Sequence, residues 1–191
     1  SGSKDKKVIF WSSSDGAKLK TFTGHQEAIK DLDFSADGRV LASAGFDTTV
    51  KLWNPHTTNV HTEVAESSPL MAVCFAPIGA FATGSLDQKI RIRDGRTTKM
   101  IREITGHTLP IRRLEFSLNN RVIIAAAGSA GTPTRQGSGQ VILWSAATGE
   151  ELARIDDLKN TIFAASVSPN GNLLATSDSA GRIRLWELNL A

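Results

Sequence analysis

Short apolar strings recur along the chain at nearly constant intervals. Five of them share one form: VIFW at 8–11, VKLW at 50–53, IRIR at 90–93, VILW at 141–144 and IRLW at 183–186. Their last residues lie 42, 40, 51 and 42 positions apart. A regular period of this size is typical of repeat architectures, and the one long interval indicates a repeat that carries an insertion.

A second string precedes most of these, and three copies share one pattern, the second being one residue shorter: FSADGRVLASAG from Phe34, FAPIGAFATGS from Phe75 and VSPNGNLLATSD from Val167. Runs rich in β-branched and aromatic residues alternate here with Gly-containing turns, which predicts short strands rather than helices. Each unit therefore predicts four antiparallel strands, named a to d, which in the first complete unit span 29–34, 40–44, 49–53 and 60–64. One such sheet cannot bury both faces alone, so the units must stack.

The polar residues inside these units resemble the signature of the WD-repeat family. Gly24-His25 and Gly106-His107 match its Gly-His pair, and residues 41–54 match the remainder, with Asn54 in place of the final Asp. The resemblance implies an all-β fold, a β-propeller of four-stranded antiparallel blades, with about four WD-type repeats plus a partial blade. We place the propeller segment at 7–188, with a partial blade at 7–23 and repeats at about 24–64, 65–105, 106–156 and 157–188.

Both ends of the chain raise the question of ring closure. The d strand at 18–23 could pair with the orphan c strand near the C-terminus, which would leave the first c strand at 8–11 surplus. Residues 1–6 are expected to be a disordered N-terminal segment that derives from the expression vector.

The resemblance also implies a buried hydrogen-bond relay of His25, Ser43, Asp47 and Trp53 in the first complete repeat. We interpret this relay as structural, because the Trp terminates it and neither a nucleophile elbow nor an oxyanion site accompanies the Ser, His and Asp. We therefore predict no catalytic residues and no enzymatic activity.

The other repeats depart from that relay. The second has Glu66 and Arg93 where His and Trp would stand, which indicates either an ion pair that replaces the relay or two solvated charges. The third keeps His107 and Trp144 but has Ala125 in place of the hydroxyl. The fourth keeps Thr176 and Trp186 but has Leu158 and Ala180 at the His and Asp positions.

The insertion belongs to the third repeat. Phe116 lies 82 positions after Phe34 whereas Trp144 lies 91 after Trp53, so nine residues are extra, within 128–139. This stretch is rich in Gly, Ser and Thr and is not followed by the Gly-Lys-Ser or Gly-Lys-Thr of a phosphate-binding loop. It is predicted to be a flexible loop or, alternatively, a binding loop.

Composition narrows the functional classes further. Of the 191 residues, 40% are hydrophobic, which is enough for a packed core. The formal net charge of +3 is too small to indicate a nucleic-acid-binding surface. The chain has a single cysteine, Cys74, and therefore cannot form an internal disulfide. Because the sequence also shows no signal peptide, we expect the protein to reside in a reducing compartment, the cytoplasm. No paired Cys or HExxH motif is present, so we expect no metal and no cofactor, and no apolar run is long enough to cross a membrane.

The family resemblance implies a non-catalytic scaffold for protein–protein interaction, whose partners dock where the d-to-a and b-to-c connections open. Phe46 and Leu86 should point outward there, as partner contacts or as local packing contacts. The candidate partner-binding residues are Phe46, Leu86, Gln26, Glu27, Thr108, Leu109, Arg135 and Gln136.

Two alternatives remain open for the function. One is a self-assembling natural or engineered propeller fragment without a native ligand, in which two chains form one ring of about eight blades. The other is phosphate or nucleic-acid binding through the Arg-bearing 128–139 loop. The predicted partners are accordingly other proteins or peptides, and either a second copy of the chain or the remainder of a longer propeller.

Overall fold

The computed structural model describes residues 1–57, 60–77, 79–117, 121–131 and 137–188, and every regular element within these ranges is a β-strand. The strands form five antiparallel sheets that follow one another along the chain. The all-β, blade-like architecture expected from the resemblance is therefore confirmed.

Three sheets are complete blades with strand order a-b-c-d. The first consists of β3 (Ile29–Phe34), β4 (Leu41–Gly45), β5 (Thr49–Trp53) and β6 (Val60–Ala65). The second consists of β7 (Leu70–Phe75), β8 (Ala80–Ser85), β9 (Ile90–Asp94) and β10 (Met100–Ile104). The third consists of β11 (Ile111–Phe116), β12 (Val122–Ser129), β13 (Ser138–Ser145) and β14 (Glu151–Leu158).

Two partial sheets flank the complete blades. The N-terminal half-blade pairs β1 (Lys7–Trp11) with β2 (Lys18–Thr23), and the last blade contains β15 (Ile162–Val167), β16 (Leu173–Asp178) and β17 (Ile183–Glu187). The pairing of residues 18–23 with the C-terminal c strand, considered above as a ring closure, is not what the structure shows. β2 pairs with β1, and β17 is the edge of a separate three-stranded sheet.

The first residues of the chain are not a disordered start, contrary to our expectation. Gly2 bridges Val8, and the Ser1 and Ile9 backbones exchange two hydrogen bonds. The Ser3 carbonyl accepts from the Ile29 amide at the beginning of the first complete blade. Residues 1–3 thus lie along the open edge of β1, because that edge has no b strand to satisfy its backbone groups.

The insertion lengthens a hairpin. The pairing of β12 with β13 continues as far as Gly128 opposite Gly139 and Ser129 opposite Ser138. Each of these two strands has eight residues, whereas β4 and β5 of the first complete blade have five. Part of the segment 128–139, expected to be a loop throughout, is therefore β-sheet.

The core lies between successive blades. The described residues form four buried apolar clusters, and each cluster joins one sheet to the next along the chain. Between the first two complete blades, for example, Val50 and Leu52 pack with Leu70 and Phe81. Each blade therefore buries its faces against its neighbours, as the stacking argument requires.

Polar contacts between the a strands reinforce this stack. The Asp31 and Asp33 carboxylates accept hydrogen bonds from the backbone N–H groups of Val73 and Phe75, at 3.1 and 2.7 Å. The Arg113 guanidinium forms an ion pair with Asp31 at 2.6 Å.

Candidate partner-binding end and its buried relays

The four predicted relay residues of the first complete blade form one chain of hydrogen bonds. The Trp53 indole N–H donates to Ser43 Oγ at 2.8 Å, and Ser43 Oγ lies 2.6 Å from His25 Nε2. His25 Nδ1 lies 2.9 Å from an Asp47 carboxylate oxygen. Because the indole can only donate, the hydroxyl donates to Nε2 and the Nδ1–H faces Asp47.

This relay holds two loops together at one end of the blade. The Asp47 carboxylate also accepts two further hydrogen bonds. One comes from the backbone N–H of Gln26 in the d-to-a connection, at 2.7 Å, and the other from the Thr49 hydroxyl just after the b-to-c turn, at 2.8 Å. Burial lowers the pKa of His25, although the neighbouring Asp47 carboxylate opposes this. Burial acts to raise the pKa of Asp47, but the hydrogen bonds from Gln26, Thr49 and His25 prevail and lower it. A neutral His25 with a charged Asp47 is thus the resting state of the relay at neutral pH.

The second blade replaces the relay with buried charges. Arg93 Nε lies 3.2 Å from Glu66 Oε1, so the hypothesised ion pair is present, and the Thr83 hydroxyl donates to the same oxygen at 3.0 Å. Sequence reasoning missed Arg91, whose Nε lies 3.1 Å from Glu66 Oε2 and which also pairs with Asp87 at 2.6 Å. The Glu66 side chain is completely buried. Because Glu66 lies in the d-to-a connection and both arginines lie on strand c, this cluster links the two segments, as the relay does in the first complete blade.

The third blade has a relay of different composition. The Trp144 indole N–H donates directly to His107 Nε2 at 3.2 Å, without the hydroxyl that Ala125 cannot supply. His107 Nδ1 lies 2.8 Å from Gln140 Oε1, and the Gln140 amide donates to Asp156 at 2.6 Å. Burial lowers the pKa of His107 to about 4, so the imidazole is neutral at neutral pH.

Gln140 is a relay residue that sequence reasoning did not identify. It stands at the end of the insertion, where the repeat alignment breaks down. The available signal was its place as a polar residue directly before the apolar string VILW.

The last blade keeps only the hydroxyl-to-indole bond. The Trp186 indole N–H donates to the Thr176 hydroxyl at 3.0 Å. At the loop end of this blade, Asp178 accepts from the Asn160 side chain at 3.2 Å and pairs with Arg184 at 3.3 Å. This blade therefore secures its d-to-a connection through Asp178, which stands two positions before Ala180 in the strand pattern.

Phe46 and Leu86 lie at the loop end but are less exposed than predicted. Both side chains are half-buried, and their backbone amides donate to Ala28 and Pro69 in the d-to-a connections, at 2.9 and 3.0 Å. The ammonium of Lys30 lies 4.5 Å from the centre of the Phe46 ring. Each residue thus anchors a b-to-c turn while keeping part of its apolar surface open.

The other candidates surround these two positions with polar surface. Gln26, Glu27 and Thr108 are exposed, and Leu109 is half-buried. Thr108 and Leu109 line a cleft of about 370 Å³ whose wall includes Gly139 and Arg154. Arg135 and Gln136 lie outside the described residues.

No group of His, Cys, Asp and Glu side chains capable of holding a metal ion occurs in the described part of the chain. Likewise, none of the described residues belongs to a helix long and apolar enough to cross a membrane.

Comparison with known proteins adds independent information. The family model of the WD domain, G-beta repeat, matches residues 16–54, 56–94 and 152–187. The unmatched stretch between the second and third matches contains β11 to β13 of the third blade with its insertion, whereas β14 of that blade lies almost wholly inside the third match.

Several curated proteins are similar to this chain. Autophagy-related protein 16 of Arabidopsis thaliana is 25% identical over 185 residues, which cover 95% of this chain and 35% of that protein. Nuclear distribution protein PAC1 of Arthroderma benhamiae is 32% identical over 152 residues, 66% of this chain and 33% of that protein. Guanine nucleotide-binding protein G(I)/G(S)/G(T) subunit beta-1 of Homarus americanus is 28% identical over 158 residues, 79% of this chain and 43% of that protein. The chain thus spans 33–43% of the length of these relatives.

Proposed function

This chain belongs to the WD-repeat family, and from that membership we propose that it is a non-catalytic scaffold for protein–protein interaction. We further propose that it presents its partner-binding loops at the end where the relays lie. One observation carries this proposal. Three successive blades join strand c to the d-to-a connection at the same end, each with a chemically different buried network.

The chemistry of that end suits a protein or peptide partner. Half-buried Phe46 and Leu86 offer apolar surface, and exposed Gln26, Glu27 and Thr108 supply polar groups around it. Protein interfaces commonly combine an apolar centre with a polar rim. One of the similar proteins is by name a subunit, which is consistent with a role inside an assembly.

A displayed peptide library selected on the intact chain tests this proposal. We expect selected peptides to bind with little dependence on salt, and Phe46→Ala or Leu86→Ala to weaken them more than about tenfold. Leu152→Ala is the matched control, because Leu152 is an exposed apolar residue on the d strand of the third blade. Equal loss in the control, or binding that collapses as salt rises, would contradict the proposal and favour an anionic ligand.

Self-association is a second candidate, favoured by a specific observation. Ile183 and Leu185 on β17 are 76% and 68% exposed, which is unusual for apolar side chains in the middle of a strand. A second copy of the chain could cover them. A light-scattering mass that rises with protein concentration would support this candidate, and a constant monomer mass would exclude it.

We also propose a reducing, cytoplasmic setting. The chain has a single cysteine, Cys74, which is free, so no internal disulfide stabilises the fold, as is usual for proteins of reducing compartments. Locating the tagged chain in cells by microscopy and fractionation tests this proposal.

A further inference from the structure

Each complete blade has a β-bulge at the same place on its a strand. The pairing of the a and b strands shifts there by one residue, so that one residue of the a strand has no partner on the b strand. The bulged residues of the three complete blades are Lys30, Met71 and Arg112. Because a bulge re-aims the side chain that it carries and is over-represented next to active sites, these three positions are candidates for ligand contact.

Each bulged residue belongs to the loop end of its blade, beside the end of the b strand. In the third blade the backbone N–H of Gly128 donates to the Pro110 carbonyl at 2.9 Å, two positions before the bulged Arg112. This bond is equivalent to those that Phe46 and Leu86 donate to the d-to-a connections, where the acceptors also stand two positions before a bulged residue. Phe46, Leu86 and Gly128 therefore hold equivalent positions in the three blades.

Two side-chain contacts show that the bulged residues lie against these positions. The Lys30 ammonium lies 4.5 Å from the centre of the Phe46 ring. Arg112 Nε donates to the Gly128 carbonyl at 3.0 Å. Both cations are thus held at the loop end of their blades.

The order of the blades places an apolar pair between the two cations. Met71 and Leu86 hold the equivalent positions in the second blade, and both are half-buried. The a strand of this blade, β7, contacts β3 of the first blade and β11 of the third. The loop end therefore presents, in the order cation, apolar pair, cation, a row that we call the bulge row: Lys30 with Phe46, Met71 with Leu86, and Arg112 with Gly128.

The two cations of the bulge row are not neutralised by this chain. Neither Lys30 nor Arg112 forms an ion pair with a carboxylate in the described part of the chain. Other cations near the relays do so, namely Lys51, Lys89, Arg91 and Arg154. Lys30 is exposed and Arg112 is half-buried. An approaching carboxylate therefore meets two unpaired cations that Phe46 and Gly128 hold in place.

We propose that the bulge row binds a peptide segment in which an apolar side chain stands between two acidic ones. The apolar side chain contacts Met71 and Leu86, and the two carboxylates pair with Lys30 and Arg112. Apolar burial supplies most of the affinity and the ion pairs supply the selectivity, so that the binding depends only weakly on salt. The inference rests on the proposed partner-binding loops and names the chemistry of their ligand.

The spacing of the blades indicates the spacing of these residues in the ligand. Stacked sheets lie about 10 Å apart. A peptide in the polyproline II conformation advances about 9 Å in three residues and then presents the same face again. Acidic residues about three positions before and about three positions after the apolar residue therefore match the bulge row.

Synthetic peptides titrated against the intact chain by fluorescence anisotropy test this chemistry. The first peptide carries Leu with Asp three positions before it and three positions after it, in a background of Ser and Pro. We expect it to bind at least about tenfold more tightly than the same peptide with Asn at both Asp positions. A large excess of inorganic phosphate should not displace it. Equal binding of the two peptides, no binding of the first, or displacement by phosphate overturns the proposal.

A double charge reversal in the bulge row tests the residues. In Lys30→Glu/Arg112→Glu, a peptide with Lys at both Asp positions should bind more tightly than the Asp peptide. The milder Lys30→Gln/Arg112→Gln should abolish the preference for Asp over Asn, and circular dichroism checks that the strands of both variants persist.

The matched control is Arg39→Glu/Arg96→Glu. It makes the same change in net charge, at exposed positions of an a-to-b turn and a c-to-d turn. The Asp peptide should bind this control as it binds the unsubstituted chain. Equal loss of the Asp peptide in the control and in the bulge-row variant, or an unchanged preference in the bulge-row variant, overturns the proposal.

This inference and the proposed loop surface fail separately. If peptides selected on the chain depend on Phe46 but bind equally well after the charge reversal, only the acidic and apolar chemistry is wrong. If the selected peptides do not depend on Phe46, the proposed loop surface itself is wrong.

Discussion

The buried imidazole of His107 makes the third blade sensitive to acid. Burial lowers its pKa from an ordinary 6.5 to about 4, so the folded chain binds a proton there less readily than the unfolded chain. The stabilisation is therefore fully present above about pH 6.5 and is lost as the pH falls towards 4. From these two values, the free energy of unfolding should fall by about 2 kcal/mol between pH 7 and pH 5.

Urea unfolding followed by circular dichroism at several pH values measures this loss. In His107→Gln the residue no longer titrates, so about 2 kcal/mol of the decrease between pH 7 and pH 5 should disappear, whatever the variant's stability at pH 7. The pKa of His25 is also lowered, and its contribution should persist in the variant. His61→Gln is the matched control, because His61 is exposed, and should reproduce the decrease of the unsubstituted chain. An unchanged decrease in His107→Gln would falsify the reasoning.

Three further predictions concern stability, each measured as the urea unfolding free energy at neutral pH. Ser43→Ala leaves a buried indole N–H and a buried imidazole nitrogen without partners, and should cost about 2–4 kcal/mol, whereas Ser14→Ala on the exposed surface should cost almost nothing. Glu66→Leu removes the carboxylate partner of Arg93 and one of the three carboxylates around Arg91, which keeps Asp87 and Glu103, and should cost about 3–5 kcal/mol. Glu66→His with Arg93→Trp should recover part of this cost by restoring a relay. Gly139→Ala places a methyl group in steric conflict with the Asn160 carbonyl oxygen and should cost about 1–3 kcal/mol, whereas Gly171→Ala meets no neighbour and should cost only the strain of its positive φ.

Each of the three stability predictions would be contradicted by a different result. An unaltered Ser43→Ala would show that the Trp53 indole N–H can reach His25 Nε2 directly, as Trp144 reaches His107 in the third blade. A Glu66→Leu variant as stable as the parent would mean that the arginines reach solvent. An unaltered Gly139→Ala would mean that the extended hairpin and the following loop can move apart.

The first relay could be predicted residue by residue because all four side chains stand at the family's spacing. The strand pattern was equally accessible, since alternation and turn residues are local properties. Gln140 could not be found in this way, because its contact with His107 depends on the path of an insertion that has no counterpart in the other repeats. Arg91 was missed for a related reason. Strand alternation tells which face a side chain occupies but not which charge from a neighbouring loop will meet it there.

The pairing of the terminal strands was also beyond local reasoning. β1 and β17 have the same pattern, so the choice of partner for β2 depends on loop length and on the strands that accompany each candidate. These are properties of the whole chain and not of either segment.

The ion pair between Arg113 and Asp31 has a consequence for how the molecule opens. It joins β11 of the third complete blade to β3 of the first, across β7 of the second. The backbone N–H groups of β7 also donate hydrogen bonds to the Asp31 and Asp33 carboxylates. The three complete blades are thereby tied into one cooperative unit. Within the described residues, the last blade is attached to a single neighbour, through one apolar cluster and two hydrogen bonds, from Ser166 to Glu115 and from the Thr161 hydroxyl to the Ser129 carbonyl. Amide hydrogens of β15 to β17 should therefore exchange with solvent through a separate, lower-energy opening, while those of the three complete blades exchange together.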